Sequence, residues 1–345
     1  MVECRDIEII LNNPIDWEKF RNKTILVTGA TGRLGMYIVE ALNKADIDWN
    51  LNLNIIAMAR SEIKMREVFG NELKLPNIYQ VIQDITEPIN FSGNIDYIFH
   101  TAGAASPKDF TESPVDTLWG HVQGTRNVLE LAKTHNTKKI LYVSTVETYG
   151  EWAKADGIKE DDCGPMHFDN VRACYPEAKR LCETMLASYK AQYSIDYVTV
   201  RLCHTFGPGI SLYDGRAFAE FIRNVLESKD IVLQTDGSAT RTYTYVADAI
   251  GAMLLAFTKG SDSSYNIANL DNLISIRDLA ELIASLDPKQ KVKVTYANLE
   301  EQKLKYLPFT LGIMNVDKIM QLGWRPQVDI HNAFKYTLES FMQRS

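Results

Sequence analysis

The stretch Lys23-Thr24-Ile25-Leu26-Val27-Thr28 is an apolar β run that ends in a glycine loop, Gly29-Ala30-Thr31-Gly32-Arg33-Leu34-Gly35, and that loop opens a helical pattern running from Leu34 to about Asn43. Few other local signals restrict a fold as tightly. The glycines permit a sharp turn, close approach of the backbone to a pyrophosphate, and close packing of helix on strand. The helix start adds unpaired N–H groups and a partial positive charge. The competing reading is a tight turn and nothing more. The strand before and the helix after favour a dinucleotide site, with Gly29, Thr31, Gly32, Arg33, Leu34 and Gly35 as its contact residues.

The same alternation continues along the chain. Further strands read at NLNIIAMAR, IYQVIQD, IDYIFHTA and KKILYVST, with helical stretches between them, notably Thr117–Thr134. Beyond Tyr175 come a helix to about Tyr193, a strand at YVTVRLC and a helix from Arg216 to Glu227. Strand and helix alternating at this spacing imply right-handed βαβ units and an α/β, doubly wound parallel sheet. The uninterrupted apolar runs fit strands covered on both faces. Residues 1–22 read as a lead-in helix with Trp17 and Phe20 as docking hydrophobes. Residues 23–203 read as the dinucleotide-binding domain. Residues 204–345 read mainly as a smaller lobe over the sheet's carboxyl edge, with the chain crossing back to the first domain.

Composition narrows the function. With 345 residues, 46% of them hydrophobic and 23% charged, the chain is an ordinary globular protein. A net charge of -7 argues against a general nucleic-acid binder, which needs clustered Lys and Arg. The five cysteines are scattered and never form a CxxC pair, which disfavours a disulfide framework or a metal site. No cationic leader and no run of roughly 20 apolar residues is present, so the expected location is cytoplasmic, away from membranes.

The cofactor end is readable in part. The second strand closes on Ala57-Met58-Ala59-Arg60-Ser61, without the acidic residue that would hold a ribose diol. Arg60 suits a 2′-phosphate or a stack on adenine, so NAD and NADP both stay open. Asp84 and Ile85 end the third strand, where adenine would lie; the alternative for Asp84 is a turn cap.

Tyr175-Pro176-Glu177-Ala178-Lys179 is the second anchor. Proline at a helix start sets Tyr175 and Lys179 four residues apart on one face. A nearby ammonium favours the phenolate and lets tyrosine act as a base. Upstream, Ser144-Thr145-Val146-Glu147-Thr148-Tyr149-Gly150 leaves a strand at the carboxyl edge, where open α/β sheets hold ligands. A hydroxyl there can hold a reacting oxygen while Tyr175 takes its proton.

These three motifs, in this order, resemble the extended short-chain dehydrogenase/reductase superfamily (the NAD-dependent epimerase/dehydratase family) over nearly the whole chain. Within it the chain is similar to UDP-glucuronate decarboxylases, in His100–Pro107, YPEAKRLCETM, HTFGPGISLYDGRAFAEFI, DGSATRTYTYVADAI and LGWRP. The resemblance implies a Rossmann-like fold, a tightly held and recycled NAD or NADP, and a nucleotide-sugar substrate destined for cell-surface polysaccharide. It makes Tyr175 the base, Lys179 its activator and ribose ligand, Thr145 the substrate-hydroxyl partner, and Glu147 the carboxylate of members that eliminate or decarboxylate. Ala102 falls to the cofactor; Ser144, His204, Arg216 and Arg241 fall to the substrate. It also implies a homodimer in which the helices over 117–134 and 175–193 form a four-helix bundle.

The departures shape the expected reaction. Val146 stands where dehydratases carry Asp or Ser and decarboxylases carry Ser, and His121 and His204 replace asparagines, while Gly209 replaces an arginine. The expected function is oxidation at C4 of the sugar, a step on the keto-sugar, and return of the hydride, with an epimerase or decarboxylase outcome ahead of 4,6-dehydration. A non-catalytic NAD(P) sensor and a one-way carbonyl reductase are the alternatives from other classes.

Overall fold

The computed structural model describes residues 2–70, 77–151, 156–297 and 312–343. Its strands are β1 (Thr24–Thr28), β2 (Asn54–Ala59), β3 (Ile78–Ile82), β4 (Tyr97–His100), β5 (Lys139–Thr145), β6 (Asp196–Leu202), β7 (His204–Phe206), β8 (Ile231–Leu233), β9 (Thr240–Tyr245), β10 (Ser264–Ile267), β11 (Leu273–Ser275) and β12 (Val294–Tyr296). The helices are α1 (Cys4–Leu11), α2 (Arg33–Trp49), α3 (Glu62–Phe69), α4 (Pro107–Glu112), α5 (Pro114–Thr134), α6 (Cys174–Tyr193), α7 (Ala217–Leu226), α8 (Val246–Lys259), α9 (Ile276–Ser285), α10 (Asp317–Gln321) and α11 (Ile330–Met342).

Seven strands form one parallel sheet in the order β10-β6-β5-β4-β1-β2-β3. The apolar runs are continuous because both faces are covered. Ile25, Val27, Ile55, Phe99 and Leu141 face one core, whereas Leu26, Ile56, Ile98, Ile140 and Tyr142 face the other. Helices α5 and α6 lie side by side over the second face, contributing Val128, Leu129, Cys182 and Leu186. Helix α8 covers the first face and is buried on nearly every side, as an all-round apolar sequence requires. Each fully buried aliphatic or Phe side chain contributes about 1.5–3 kcal/mol. The sheet is therefore a rigid frame for whatever its carboxyl edge carries.

The strand order reverses between β1 and β4, because β2 and β3 are laid on one side of β1 and β4 on the other. That is the switch point at which open α/β sheets leave a crevice. The smaller layers sit beside it. Strands β7, β9 and β11 form a three-stranded sheet and β8 pairs with β12, with α7, α9 and α11 packed against them. Between these elements the chain returns to the large sheet, where β10 pairs with β6.

The lead-in segment is tied down by polar and aromatic contacts. Tyr37 Oη and Tyr245 Oη both donate to the buried Asp6 carboxylate, at 2.6 and 2.8 Å, linking α1 to α2 and β9. Phe20 stacks on Phe257 and Trp17 on Trp49. Two boundaries differ from the sequence pattern. Helix α2 continues to Trp49 and ends only at Asn50, whose left-handed φ of 49° supplies the stop. Helix α5 begins at Pro114, in its first turn, rather than at Thr117. Among the described residues no helix is long and apolar enough to cross a membrane, and no cluster of His, Cys, Asp and Glu is arranged to hold a metal ion.

Candidate active site

The glycine loop forms one wall of the crevice. Gly29 has φ +68°, and a Cβ there would lie 2.8 Å from the Cα of Ala102 on the loop after β4. A Cβ on Gly35 would stand 2.3 Å from the carbonyl oxygen of Gly29. Both positions demand glycine for close approach. Gly32 caps α2 with no side chain, and the first turn of that helix holds no acidic residue. Its unpaired N–H groups face the crevice, so the cradle fits the pyrophosphate of a dinucleotide. Thr31 and Leu34 are partly exposed in the same loop. The Arg33 guanidinium reaches the smaller lobe, where Nη2 donates to the carbonyl of Thr205 at 2.7 Å. Burial, reinforced by nearby Arg216, pushes its pKa down to about 10.

At the adenosine end Arg60 is exposed. Asp84 Oδ1 accepts from the Thr86 amide at 2.9 Å and from its hydroxyl at 2.8 Å; these bonds, with Arg60 adding to them, lower its pKa. In this geometry Asp84 caps a turn. Ile85 is held by Asn127, whose Nδ2 donates to the Ile85 carbonyl at 2.9 Å, and it packs over Gly124 of α5.

The catalytic candidates converge where β5 ends and α6 begins. Thr145 is the last residue of β5, and it lines the same cavity as Tyr175 in the first turn of α6. The Tyr175 ring is stacked on Phe110 at a centroid distance of 4.2 Å and lies 5.4 Å from the His121 ring. Burial and the neighbouring Glu147 charge raise the Tyr175 pKa above the ordinary tyrosine range, while Thr145, Arg216 and Arg172 oppose that rise. Lys179 Nζ donates to the carbonyl of Val143 at 2.7 Å and stands 5.9 Å from the Tyr175 ring. Burial lowers its pKa to about 8. The ammonium is thus fixed by the strand's backbone as well as by its helical spacing from the tyrosine.

One partner in this cluster escaped the motifs. Arg172, in the short turn before α6, pairs with Glu147 through Nη2, at 2.9 Å to Oε1 and 2.8 Å to Oε2. Its guanidinium lies 4.6 Å above the Phe110 ring. The sequence carries one clue, an Arg three residues ahead of the tyrosine, but no periodicity assigns it a partner.

A cavity of about 240 Å³ opens beside these groups, lined by Thr145, Glu147 and Tyr175 on one side and by His204, Arg216 and Arg241 on the other. Arg216 bonds the carbonyl of Ala105 across the cleft and pairs with Asp214 at 3.3 Å. Arg241 Nη1 donates to the Thr240 carbonyl at 2.7 Å. Burial, with Arg216 and Arg241 adding to it, lowers the His204 pKa to about 3. His121 is likewise pushed well below its ordinary value by burial and Lys179, and its Nε2 bonds the Ala104 carbonyl at 2.8 Å. Ser144 lines the cavity, but its hydroxyl donates to Glu183 at 2.6 Å, within the Glu183–Arg201 ion pair. Val146 is buried beside Glu147.

Known proteins share this fold. The chain is 29% identical to UDP-glucuronic acid decarboxylase 6 of Arabidopsis thaliana over 339 residues, covering 96% of this chain and 93% of the relative. Among solved structures it is similar to the UDP-glucose 4-epimerase of Thermotoga maritima with UDP-glucose, at a TM-score of 0.77 and 23% identity, over 93% of this chain and 99% of the other. The Thermus thermophilus UDP-glucose 4-epimerase in complex with NAD superposes with a TM-score of 0.74 and 21% identity, over 93% of this chain and 100% of the other. The sequence profile of the NAD dependent epimerase/dehydratase family matches residues 25–268, from the first strand of the sheet to just past the last. Glycine cradle, doubly wound sheet and full-length match agree: the chain belongs to the NAD dependent epimerase/dehydratase family.

Proposed function

We propose that the protein is an NAD-dependent nucleotide-sugar enzyme that works through a transient 4-keto sugar and releases CO2 from a C5 carboxylate. One observation carries this reading. Thr145, Tyr175 and Glu147 face the same cleft, whose opposite wall offers Arg216 and Arg241 and whose floor adjoins the dinucleotide cradle. Thr145 and Tyr175 hold the C4 oxygen, and Tyr175 removes its proton as C4 is oxidised. Lys179, fixed by Val143, supplies the nearby positive charge. NAD, when bound, supplies a hydride acceptor at C4 that returns the hydride at the end of the cycle. The two arginines suit a diphosphate, since the guanidinium fork matches its oxygens. With C4 a ketone, the C5–carboxylate bond breaks, its electron pair spreads into the carbonyl, CO2 leaves, and a proton drawn from water is relayed to C5 by Glu147. The 29% identity to a UDP-glucuronic acid decarboxylase, spread over 96% of the chain, supports this choice.

NADP is tolerated on this reading, because Arg60 is exposed and residues 57–61 at the strand end carry no acidic side chain. A homodimer through α5 and α6 is proposed as well. These helices carry Val115, Trp119 and Leu181 with 66%, 56% and 48% of their surfaces exposed, an apolar face that a second copy would cover.

The deciding test is incubation with a panel of nucleotide-sugars, including uronates, followed by mass spectrometry. A loss of about 44 mass units is expected from decarboxylation. An unchanged mass with altered retention gives epimerisation instead, a loss of about 18 gives dehydration, and no cofactor reduction with any member overturns the enzyme reading.

A further inference from the structure

Arg172 stands at the centre of the catalytic cluster although no motif assigns it a role. The short turn Val171–Ala173 that carries it is capped by Asn170, whose Oδ1 accepts from the Arg172 amide at 2.9 Å. The guanidinium then bridges two elements. On one side it pairs with the largely buried Glu147, and on the other it lies 4.6 Å over Phe110, which is itself stacked on Tyr175 with an interplanar angle of 15°. A carboxylate, a guanidinium and two aromatic rings thus form one continuous stack ending at the tyrosine.

We propose that Arg172 is a positioning residue of the reaction, neutralising Glu147 so that its charge does not oppose proton removal by Tyr175, and seating Phe110 as the back wall of the tyrosine ring. The proposal rests on the reading of Tyr175 as the base. Its physical basis is the spacing of opposite charges in a site with little water. An unpaired carboxylate beside a phenol disfavours the phenolate, and a cation within ~4–6 Å restores it, by about one to three pH units. Both effects act on Tyr175 here, Glu147 raising its pKa and Arg172 lowering it. The other groups facing the tyrosine do not duplicate Arg172. Thr145 is uncharged, His121 is held neutral by burial, Lys179 donates to Val143 rather than to Glu147, and Arg216 approaches from the smaller lobe and is paired with Asp214. Among the described residues, Arg172 is the cation paired directly with Glu147.

The test is a charge-cancellation cycle on the NAD-loaded enzyme, using whichever nucleotide-sugar reduces the cofactor in the wild-type protein. The pH dependence of cofactor reduction in a single half-turnover is measured for wild type, Arg172→Met, Arg172→Lys, Glu147→Gln and the double variant Arg172→Met/Glu147→Gln. Methionine keeps an unbranched side chain of similar reach but removes the charge and the guanidinium donors. The midpoint at which the rate rises is expected to move up by about one pH unit in Arg172→Met. Arg172→Lys should restore most of that shift, and the double variant should return to the wild-type midpoint because the charge that Arg172 offsets is gone. A merely structural Arg172 would slow the step without moving its midpoint. A wild-type midpoint in Arg172→Met, or a double variant displaced as far as the single one, overturns the proposal. A wild-type enzyme reduced by no nucleotide-sugar overturns the functional reading beneath it instead.

Discussion

Replacing Lys179 with methionine separates function from stability in a way the structure makes quantitative. The ammonium is fully enclosed, and burial brings its pKa from the ordinary 10.5 to about 8. At about 1.4 kcal/mol per pH unit, holding it charged at neutral pH costs the folded state about 3 kcal/mol. The sign follows from the depressed value. The cost is absent above pH ~10.5, where the amine is neutral in both states, grows as pH falls towards 8, and is full below that. Methionine removes this cost but leaves the Val143 carbonyl, now bonded at 2.7 Å, without its donor. An orphaned buried acceptor costs about 1–3 kcal/mol, so the two terms nearly cancel. Lys179→Met is therefore expected to unfold at neutral pH within about 4 °C of wild type, on the usual scaling for a domain of this size. The pH-dependent gain in stability that the wild type shows between about 8 and 10.5 should be flattened. Turnover should nonetheless fall by about a hundredfold or more if, as proposed, the Lys179 charge assists Tyr175. Thermal unfolding at pH 7 and pH 9.5, together with the rate of cofactor reduction, checks both halves. Turnover within tenfold of wild type would refute the catalytic assignment, and a collapse of the melting temperature at pH 7 would refute the balance of burial against hydrogen bonding.

Other outcomes follow from single contacts. Glu147→Gln should still reduce the cofactor, seen as absorbance accumulating near ~340 nm, while product formation stops; normal product formation would remove Glu147 from the chemistry. Arg60→Ala should weaken NADP and leave NAD nearly unchanged in calorimetric titration, whereas equal weakening would assign Arg60 to adenine stacking. Light scattering at micromolar concentration should report twice the 39.1 kDa chain mass, and Leu181→Glu should return the single mass; a wild-type monomer would refute the α5–α6 interface.

The parts of this molecule that sequence discloses are those fixed by local sterics. Gly29 and Gly35 are dictated by backbone atoms that approach within 3 Å of a would-be Cβ, so the loop is legible wherever it follows a strand. The two-sided burial of β1 and β2 is written in their unbroken apolar runs. Tyr175 and Lys179 are legible because helical spacing alone sets them on one face. What depends on non-local contact is hidden. Residues 110, 147 and 172 come together from helix α4 and two separate short turns, and nothing periodic links Phe110 to Arg172. The turn of the Ser144 hydroxyl towards Glu183 depends on a residue 39 positions away. The far end of α2 was hidden for a subtler reason: no glycine or proline marks it, and Asn50 provides the left-handed stop instead.

The two histidines bear on which reaction follows oxidation. Inverting C5 through an enolate requires a proton to leave one face and another to arrive on the opposite face. Glu147 can serve one face. His204, with its pKa near 3, and His121, also far below its ordinary value, are neutral imidazoles at physiological pH, ready to accept a proton but not to donate one as imidazolium. A histidine-assisted inversion would therefore need a neutral imidazole as the base on one face and Glu147 as the acid on the other. Decarboxylation asks less of the same cleft, since the bond to CO2 breaks without a base and a single proton must then reach C5. The buried Val146 beside Glu147 adds no acid to that account. The same reasoning predicts that the outcome is insensitive to histidine protonation. Between pH 6 and pH 8 the ratio of decarboxylated to C5-inverted product should stay constant, measured by mass and retention of the released nucleotide-sugar. A rise in inverted product towards pH 6 would mean that one imidazole gains a proton in the complex, and the case against epimerisation would fall.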